Sequence, residues 1–235
     1  LLAGMEKTFF VWTDDDSLGE GRSDVRIWHK ECAGFPDDSL FRFEMFLQAE
    51  SELQGYDYVY FFNANAEFRM PVGEELLPDA SGLAVAMWRG KRERQHPALY
   101  PYERNRRSAA YVAPFGKDYV YYMGGLNGGC AQPYLDMVRT LSRGIREDCA
   151  QGIIAKVYDE SHINAYLRTH RCKTLGRELC WPEEWQAEGF VPKIVFRDKV
   201  MLDPYFDKGR QHSLLAKAKK AAGLAWGAVR WYLRF

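Results

Sequence analysis

Two β-branched and aromatic runs, each closed by polar residues, limit what this chain can fold into more than any other feature. Phe9-Phe10-Val11-Trp12-Thr13 ends at Asp14-Asp15-Asp16, and Tyr56-Asp57-Tyr58-Val59-Tyr60-Phe61-Phe62 ends at Asn63. Runs of this length and composition read as buried strands. Between them, Asp38-Ser39-Leu40 offers a helix cap, and Leu40, Phe43, Phe46, Leu47 and Leu53 recur near helical spacing, so a helix is expected from Asp38 to Gln54. Strand, helix, strand is the unit of a parallel sheet, whose faces must be covered by helices. The expected class is α/β, a single domain with a central, mostly parallel mixed sheet flanked by helices. In such sheets ligands bind beyond the carboxyl ends of the strands.

The rest of the chain extends this pattern. Gly82 to Trp88 supplies another strand, followed by a basic, loop-like stretch from Arg89 to Arg107 that reads either as a solvated charge run or as an anion contact. Tyr119-Val120-Tyr121-Tyr122 is strand-like and leads into Met123-Gly124-Gly125-Leu126-Asn127-Gly128-Gly129, where the glycines imply close backbone approach. Helices are expected from Pro133 to Arg143 and from Asp148 through Val157 toward Leu167. With 235 residues, 47% apolar and 27% charged, the chain can bury one large core. The 32 basic and 32 acidic side chains cancel, so no global field recruits nucleic acid. Five cysteines without zinc-ligand spacing fit a reducing compartment, and cytoplasm is the expected location.

Two segments carry chemistry. Asn63-Ala64-Asn65 follows a strand end, where it reads as a turn or as a pair of amides facing a ligand. Amides bind a hard divalent cation poorly but can donate to diphosphate or ribose oxygens. Asp159-Glu160-Ser161-His162 places two carboxylates beside a hydroxyl and an imidazole. It reads as holding a catalytic carboxylate that faces a sugar, as a metal site, or as the capping box of the helix carrying Ile163 and Leu167. His162 reads as a structural hydrogen-bonding residue.

Taken in order, these pieces resemble the family 6 glycosyltransferases, which include the ABO blood-group transferases and the α1,3-galactosyltransferase. The matching segments are Thr13-Asp14, Phe35-Pro36-Asp37-Asp38-Ser39-Leu40-Phe41-Arg42-Phe43, and Tyr60-Phe61-Phe62-Asn63-Ala64-Asn65. They continue with Tyr102-Glu103-Arg104, Ser108-Ala109-Ala110-Tyr111, Tyr121 through Gly129, Tyr158-Asp159-Glu160-Ser161-His162-Ile163-Asn164, and Leu179-Cys180-Trp181. The resemblance spans Thr13 to Lys199. Its bacterial branch, which carries Asn-x-Asn in place of the animal Asp-x-Asp and is described as metal-independent, is the nearer one.

The resemblance implies a GT-A type fold and retaining α1,3 transfer of N-acetylgalactosamine or galactose from a UDP-sugar to a galactoside acceptor, with no cofactor and no divalent metal. Glu160 matches the catalytic glutamate. Asn63, Asn65 and Asp159 match donor-binding positions, and Met123, Gly124 and Gly125 match the wall where donor and acceptor are sorted. Gly125 would leave room for an N-acetyl group. Lys199, with Arg197 as a second candidate, matches the cation that neutralises the diphosphate when no metal is present. Departures fall on the acceptor side, where Val157-Tyr158 replaces Trp-His and Trp88 stands in place of His. Tyr158, Trp88 and Trp181 are the acceptor candidates. These changes keep an alternative open, a catalytically silent UDP-sugar or glycan-binding module.

Two ends lie outside the pattern. Leu1 to Lys7 reads as the end of a helix, with part of the nucleotide site expected upstream. Residues 1–213 form the expected transferase domain and 214–235 a basic amphipathic helix, with Leu214, Leu215, Ala218, Ala222, Ala225, Val229 and Leu233 on one stripe. This pattern suits the inner face of an anionic membrane, where a lipid-linked acceptor would lie, or packing against a protein.

Overall fold

A computed structural model describes residues 1–88, 96–114, 116–202, and 222, 223, 225–227 and 229. Strands β1 (Phe9–Thr13) and β2 (Val25–His29) form a parallel pair. Three short helices follow, α1 (Asp37–Leu40), α2 (Arg42–Gln48) and α3 (Glu50–Leu53). Next come β3 (Tyr58–Phe62), β4 (Ala66–Phe68), β5 (Leu83–Met87), β6 (Tyr122–Cys130), α4 (Ala131–Ala150) and α5 (Tyr158–Tyr166). The described core ends with β7 (Lys173–Leu175), β8 (Trp181–Pro182), β9 (Ile194–Phe196) and α6 (Lys199–Leu202).

The main sheet has the order β3-β6-β5-β7. β6 runs antiparallel to both β3 and β5, while β5 and β7 are parallel, so β3, β5 and β7 all point the same way. β5 shows why this sheet is the centre of the molecule. Leu83 and Val85 face one apolar layer with Phe43, Met137, Leu141 and Ile163, whereas Ala84 and Ala86 face another with Leu126, Leu175 and Ile194. The period of two therefore buries both faces. Each large apolar side chain so buried contributes roughly 1.5–3 kcal/mol. A third sheet, β4-β9-β8, continues the second layer.

The glycine-rich segment does not follow a strand; it is the strand. A Cβ at Gly128 would stand 2.5 Å from the Val59 carbonyl oxygen, and one at Gly129 only 2.0 Å from that of Gly82. Glycine there lets β6 sit between its neighbours at full hydrogen-bonding distance.

Several expectations are corrected. β1 pairs with β2, a strand the sequence reading missed, and not with β3. The helix expected over 38–54 is three pieces interrupted at Phe41 and Ala49, which keeps Leu40, Phe43, Phe46, Ala49 and Leu53 all buried. Asp38 does not cap it; its carboxylate instead accepts the Ala33 and Gly34 N–H groups and pairs with Lys30. Leu1 to Lys7 is not helical. Leu2 is buried in the second layer and donates to the Val72 carbonyl, and Gly4 turns the chain at φ +86°. The helix expected from Asp148 is split: α4 runs to Ala150, Gly152 turns the chain at φ +70°, and α5 begins at Tyr158.

Arg104 packs over the Tyr102 ring and donates to the Val112 carbonyl, so this member of the basic stretch is structural. Residues 89–95 and most of 214–235 lie outside the described residues. Among those described, no helix is long and apolar enough to cross a membrane.

Candidate active site

A cleft of about 220 Å³ opens where α2, the end of β3, the middle of β6 and the start of α5 converge. Its floor is made by Arg42, Asn63, Gly124, Gly125, Asp159 and Glu160, and its rim by Phe35, Ser39 and Tyr158. The two carboxylates come from the first turn of α5, where the helix field favours negative charge. Neither caps the helix. The Val157 N–H is instead bound by the Ser161 hydroxyl, which leaves both acids free to face the cleft. Tyr158, just before them, holds φ +49°, a strained value for a bulky side chain and one of the kind that clusters at functional sites.

Glu160 is held by both oxygens. Oε1 accepts from the Tyr121 hydroxyl at 2.7 Å and Oε2 from the Gly124 N–H at 2.7 Å. Burial pushes its carboxyl up to about 7, against the pull of those two donors. Gly124 permits this approach, since a Cβ there would lie 3.2 Å from Asp159 Oδ2 and 3.5 Å from Glu160 Oε2. Asn164, one helical turn beyond Glu160, fastens α5 to β6 by accepting from Tyr122 N–H and donating to the Tyr122 and Glu160 carbonyls.

Asp159 is buried, and Arg42 Nε lies 3.2 Å from its Oδ2. Burial raises the Asp159 carboxyl, opposed by the charges of Arg42 and Lys199. The Arg42 guanidinium also reaches Asn63 Oδ1 and the Gly124 carbonyl, each at 3.3 Å, and rests 4.7 Å above the Phe61 ring. One cation thus ties α2, β3, β6 and α5 together. Arg42 lies within one of the matching segments, yet it is not among the candidate site residues. The available signal was an arginine inside the apolar run Leu40 to Phe43, since a buried charge demands a partner.

Asn63 continues the β3–β6 ladder through its N–H to the Gly125 carbonyl. Asn65 donates through Nδ2 to the Arg197 carbonyl at 2.6 Å and accepts the Arg197 N–H, which fixes the strand end two residues before Lys199. Its Oδ1 is buried with no hydrogen-bond partner among the described residues. The Arg197 side chain turns away to Glu67 and Glu183 at 3.7 and 3.8 Å, so at this position the peptide meets the asparagine and the guanidinium does not. Among the described residues no cluster of three or more His, Cys, Asp or Glu could hold a metal ion.

The remaining candidates divide. Gly125 lines the cleft, whereas Met123 packs in the second apolar layer, its Cε 2.9 Å from where a Gly125 Cβ would sit. Trp88 and Trp181 lie outside the cleft but come together through Trp185, with ring centroids 5.5 and 5.7 Å apart from it. Trp88 N–H donates to the Tyr121 carbonyl, which puts this aromatic group next to the Glu160 clamp. His162 is buried behind the site, 3.5 Å from Asp148, and burial lowers its pKa.

The sequence pattern of Glycosyltransferase family 6 matches residues 2–200. The O-antigen biosynthesis glycosyltransferase WbnI of Escherichia coli is 30% identical over 196 residues, 82% of this chain and 81% of WbnI. Histo-blood group ABO system transferase 1 of Rattus norvegicus is 31% identical over 193 residues, covering 78% of this chain and 54% of that protein. Human globoside alpha-1,3-N-acetylgalactosaminyltransferase 1 is 28% identical over 198 residues, 77% of this chain and 54% of its own length. The chain spans about half the length of these animal relatives. A family match over most of the chain, with similarity across four fifths of both itself and the bacterial relative, means that this chain belongs to glycosyltransferase family 6 and is an enzyme of glycosyl transfer.

Proposed function

We propose that this enzyme transfers N-acetylgalactosamine, or galactose, from a UDP-sugar to a galactoside in α1,3 linkage, with retention and without a divalent cation. The observation that carries the reading is the Glu160 carboxylate, clamped on the cleft floor with the Arg42–Asp159 pair and Asn63 around it. A sugar seated on Gly124 and Gly125 would present its anomeric carbon to that carboxylate. The ionised group can attack this carbon to form a glycosyl-enzyme, or stabilise oxocarbenium character while the acceptor enters on the face the diphosphate leaves. Asp159, positioned by Arg42, would accept from sugar hydroxyls.

Two amides at the strand end support independence from metal, since such cations prefer anionic oxygens. Positive charge for the departing diphosphate would come from Lys199, whose charge already acts on Asp159. Trp88, Trp181 and Tyr158 would form the acceptor side. The C-terminal stretch favours a lipid-linked acceptor at the inner membrane face of the cytoplasm, and among its described residues the apolar Trp226 and Val229 are 59% and 40% exposed.

The test is product mass spectrometry with UDP-galactose and UDP-N-acetylgalactosamine in competition over a galactoside array in excess EDTA. An α1,3-linked product is expected. Strict Mn²⁺ dependence would overturn the metal-free reading, and UDP-sugar binding without hydrolysis or transfer would favour a silent binding module.

A further inference from the structure

The tyrosine-rich entry to β6 assigns its hydroxyls to different tasks. Tyr119 donates to the Ala113 carbonyl, Tyr122 meets Thr174 Oγ1 at 3.3 Å, and Tyr102, packed against Tyr119, donates to the Val120 carbonyl. All three serve the fold. Tyr121 is different: its ring is only 1% exposed, yet its hydroxyl ends on Glu160 Oε1.

We infer that Tyr121 is a positioning residue for the Glu160 carboxylate, holding it in the orientation its chemistry needs. The inference rests on the proposed role of Glu160. The ring cannot swing, because it stacks on Tyr100 at 5.3 Å with planes 7° apart and takes Tyr102 edge-on at 5.2 Å. Its backbone is tied as well, the Tyr121 carbonyl accepting the Trp88 N–H at 2.8 Å. A donor immobilised on three sides costs no ordering when charge develops opposite it. With the Gly124 N–H on Oε2, the carboxylate is fixed at both oxygens and cannot rotate about its terminal bond.

The hydroxyl also bears on the charge of Glu160, after burial and the Gly124 N–H. Burial raises the Tyr121 phenol far above its ordinary value, so it remains a donor at every working pH. The groups facing Glu160 are the Gly124 N–H of β6, Arg42 of α2, Asp159 of α5 and Tyr121 itself. Gly124, Tyr121 and Arg42 favour the ionised form; burial and Asp159 oppose it. Removing the phenol hydroxyl therefore shifts the balance toward the protonated acid, which can neither attack nor stabilise a cation.

Tyr121→Phe keeps the ring and its packing and deletes one donor. UDP release from UDP-N-acetylgalactosamine and UDP-galactose is measured across pH 5–9, beside the parent and Glu160→Gln. The acid limb of kcat/KM in Tyr121→Phe is expected to move up by about 0.5–1 pH unit, with kcat reduced on the order of 10–100-fold and donor KM nearly unchanged. In the unliganded protein, carboxyl ¹³C NMR should show Glu160 titrating higher in Tyr121→Phe. A limb and a titration both unmoved would overturn the inference. Full activity in Glu160→Gln would instead remove the role of Glu160 itself, whatever Tyr121 does.

Discussion

Arg42 and Asp159 form a buried ion pair, Nε to Oδ2 at 3.2 Å, with side chains 10% and 6% exposed. No solvent can take over for either partner. Removing the cation strands a carboxylate in a low-dielectric site, so Arg42→Met should cost about 3–5 kcal/mol of stability by urea denaturation. Arg42→Met with Asp159→Asn should lose less than the sum of the single changes, because the stranded charge has gone. Additive losses would show that the two residues are not coupled.

The pH dependence follows from Glu160. Its carboxyl is raised from 4.5 to about 7 in the folded protein, so the folded state holds the proton more tightly than the unfolded chain. The stability contributed by Glu160 is therefore fully present below 4.5 and falls as pH rises toward 7. Activity should change in the opposite sense, since the role proposed for Glu160 needs the ionised form: kcat/KM should fall as pH drops through about 7. Glu160→Gln should abolish that limb, lower turnover by about 10²–10⁴-fold and leave UDP binding intact by calorimetry.

The two cleft glycines differ from those deeper in β6. A Gly125→Ala methyl would press on Met123 Cε at 2.9 Å, Asn63 Nδ2 at 3.0 Å and Phe196 Cε1 at 3.1 Å, all side-chain atoms. The cost should be about 1–3 kcal/mol in thermal or urea unfolding. Gly125→Ala should also raise KM for UDP-N-acetylgalactosamine more than for UDP-galactose. Gly128→Ala meets backbone, the Val59 carbonyl oxygen at 2.5 Å, and should fail to fold stably.

The role proposed for Lys199 can be read through UDP binding. Lys199→Met should weaken UDP binding by about 10–100-fold in calorimetry, the value of a lost charge-assisted hydrogen bond. Arg197→Met, whose guanidinium faces Glu67 and Glu183, should leave UDP affinity within about twofold, as expected for an exposed ion pair. Equal losses in both variants would show that the cation acts through general field and not through contact.

The strongly patterned elements and the two neighbouring acids could be read from residue order. The Phe9 and Tyr58 runs became strands because β-branched and aromatic residues fit a pleated, half-buried surface, and Gly82 to Trp88 became the doubly buried β5 because its short apolar run fills both layers. Asp159 and Glu160 were legible because ordered neighbours gave them context, whereas Lys199 came from the family resemblance alone and its part in the reaction belongs to the proposed function. The tertiary structure alone decided who meets whom. Val25 to His29 carries Arg26 within its apolar run and became a strand only by pairing with β1. The clamp of Tyr121 and Gly124 on Glu160, and the four-way contact of Arg42, join residues 19 to 117 positions apart in the chain. Local pattern reports burial; such pairings are set by the packing of α2 and α5 against β6, where a buried charge or carboxylate must find whatever partner the fold brings within hydrogen-bonding reach.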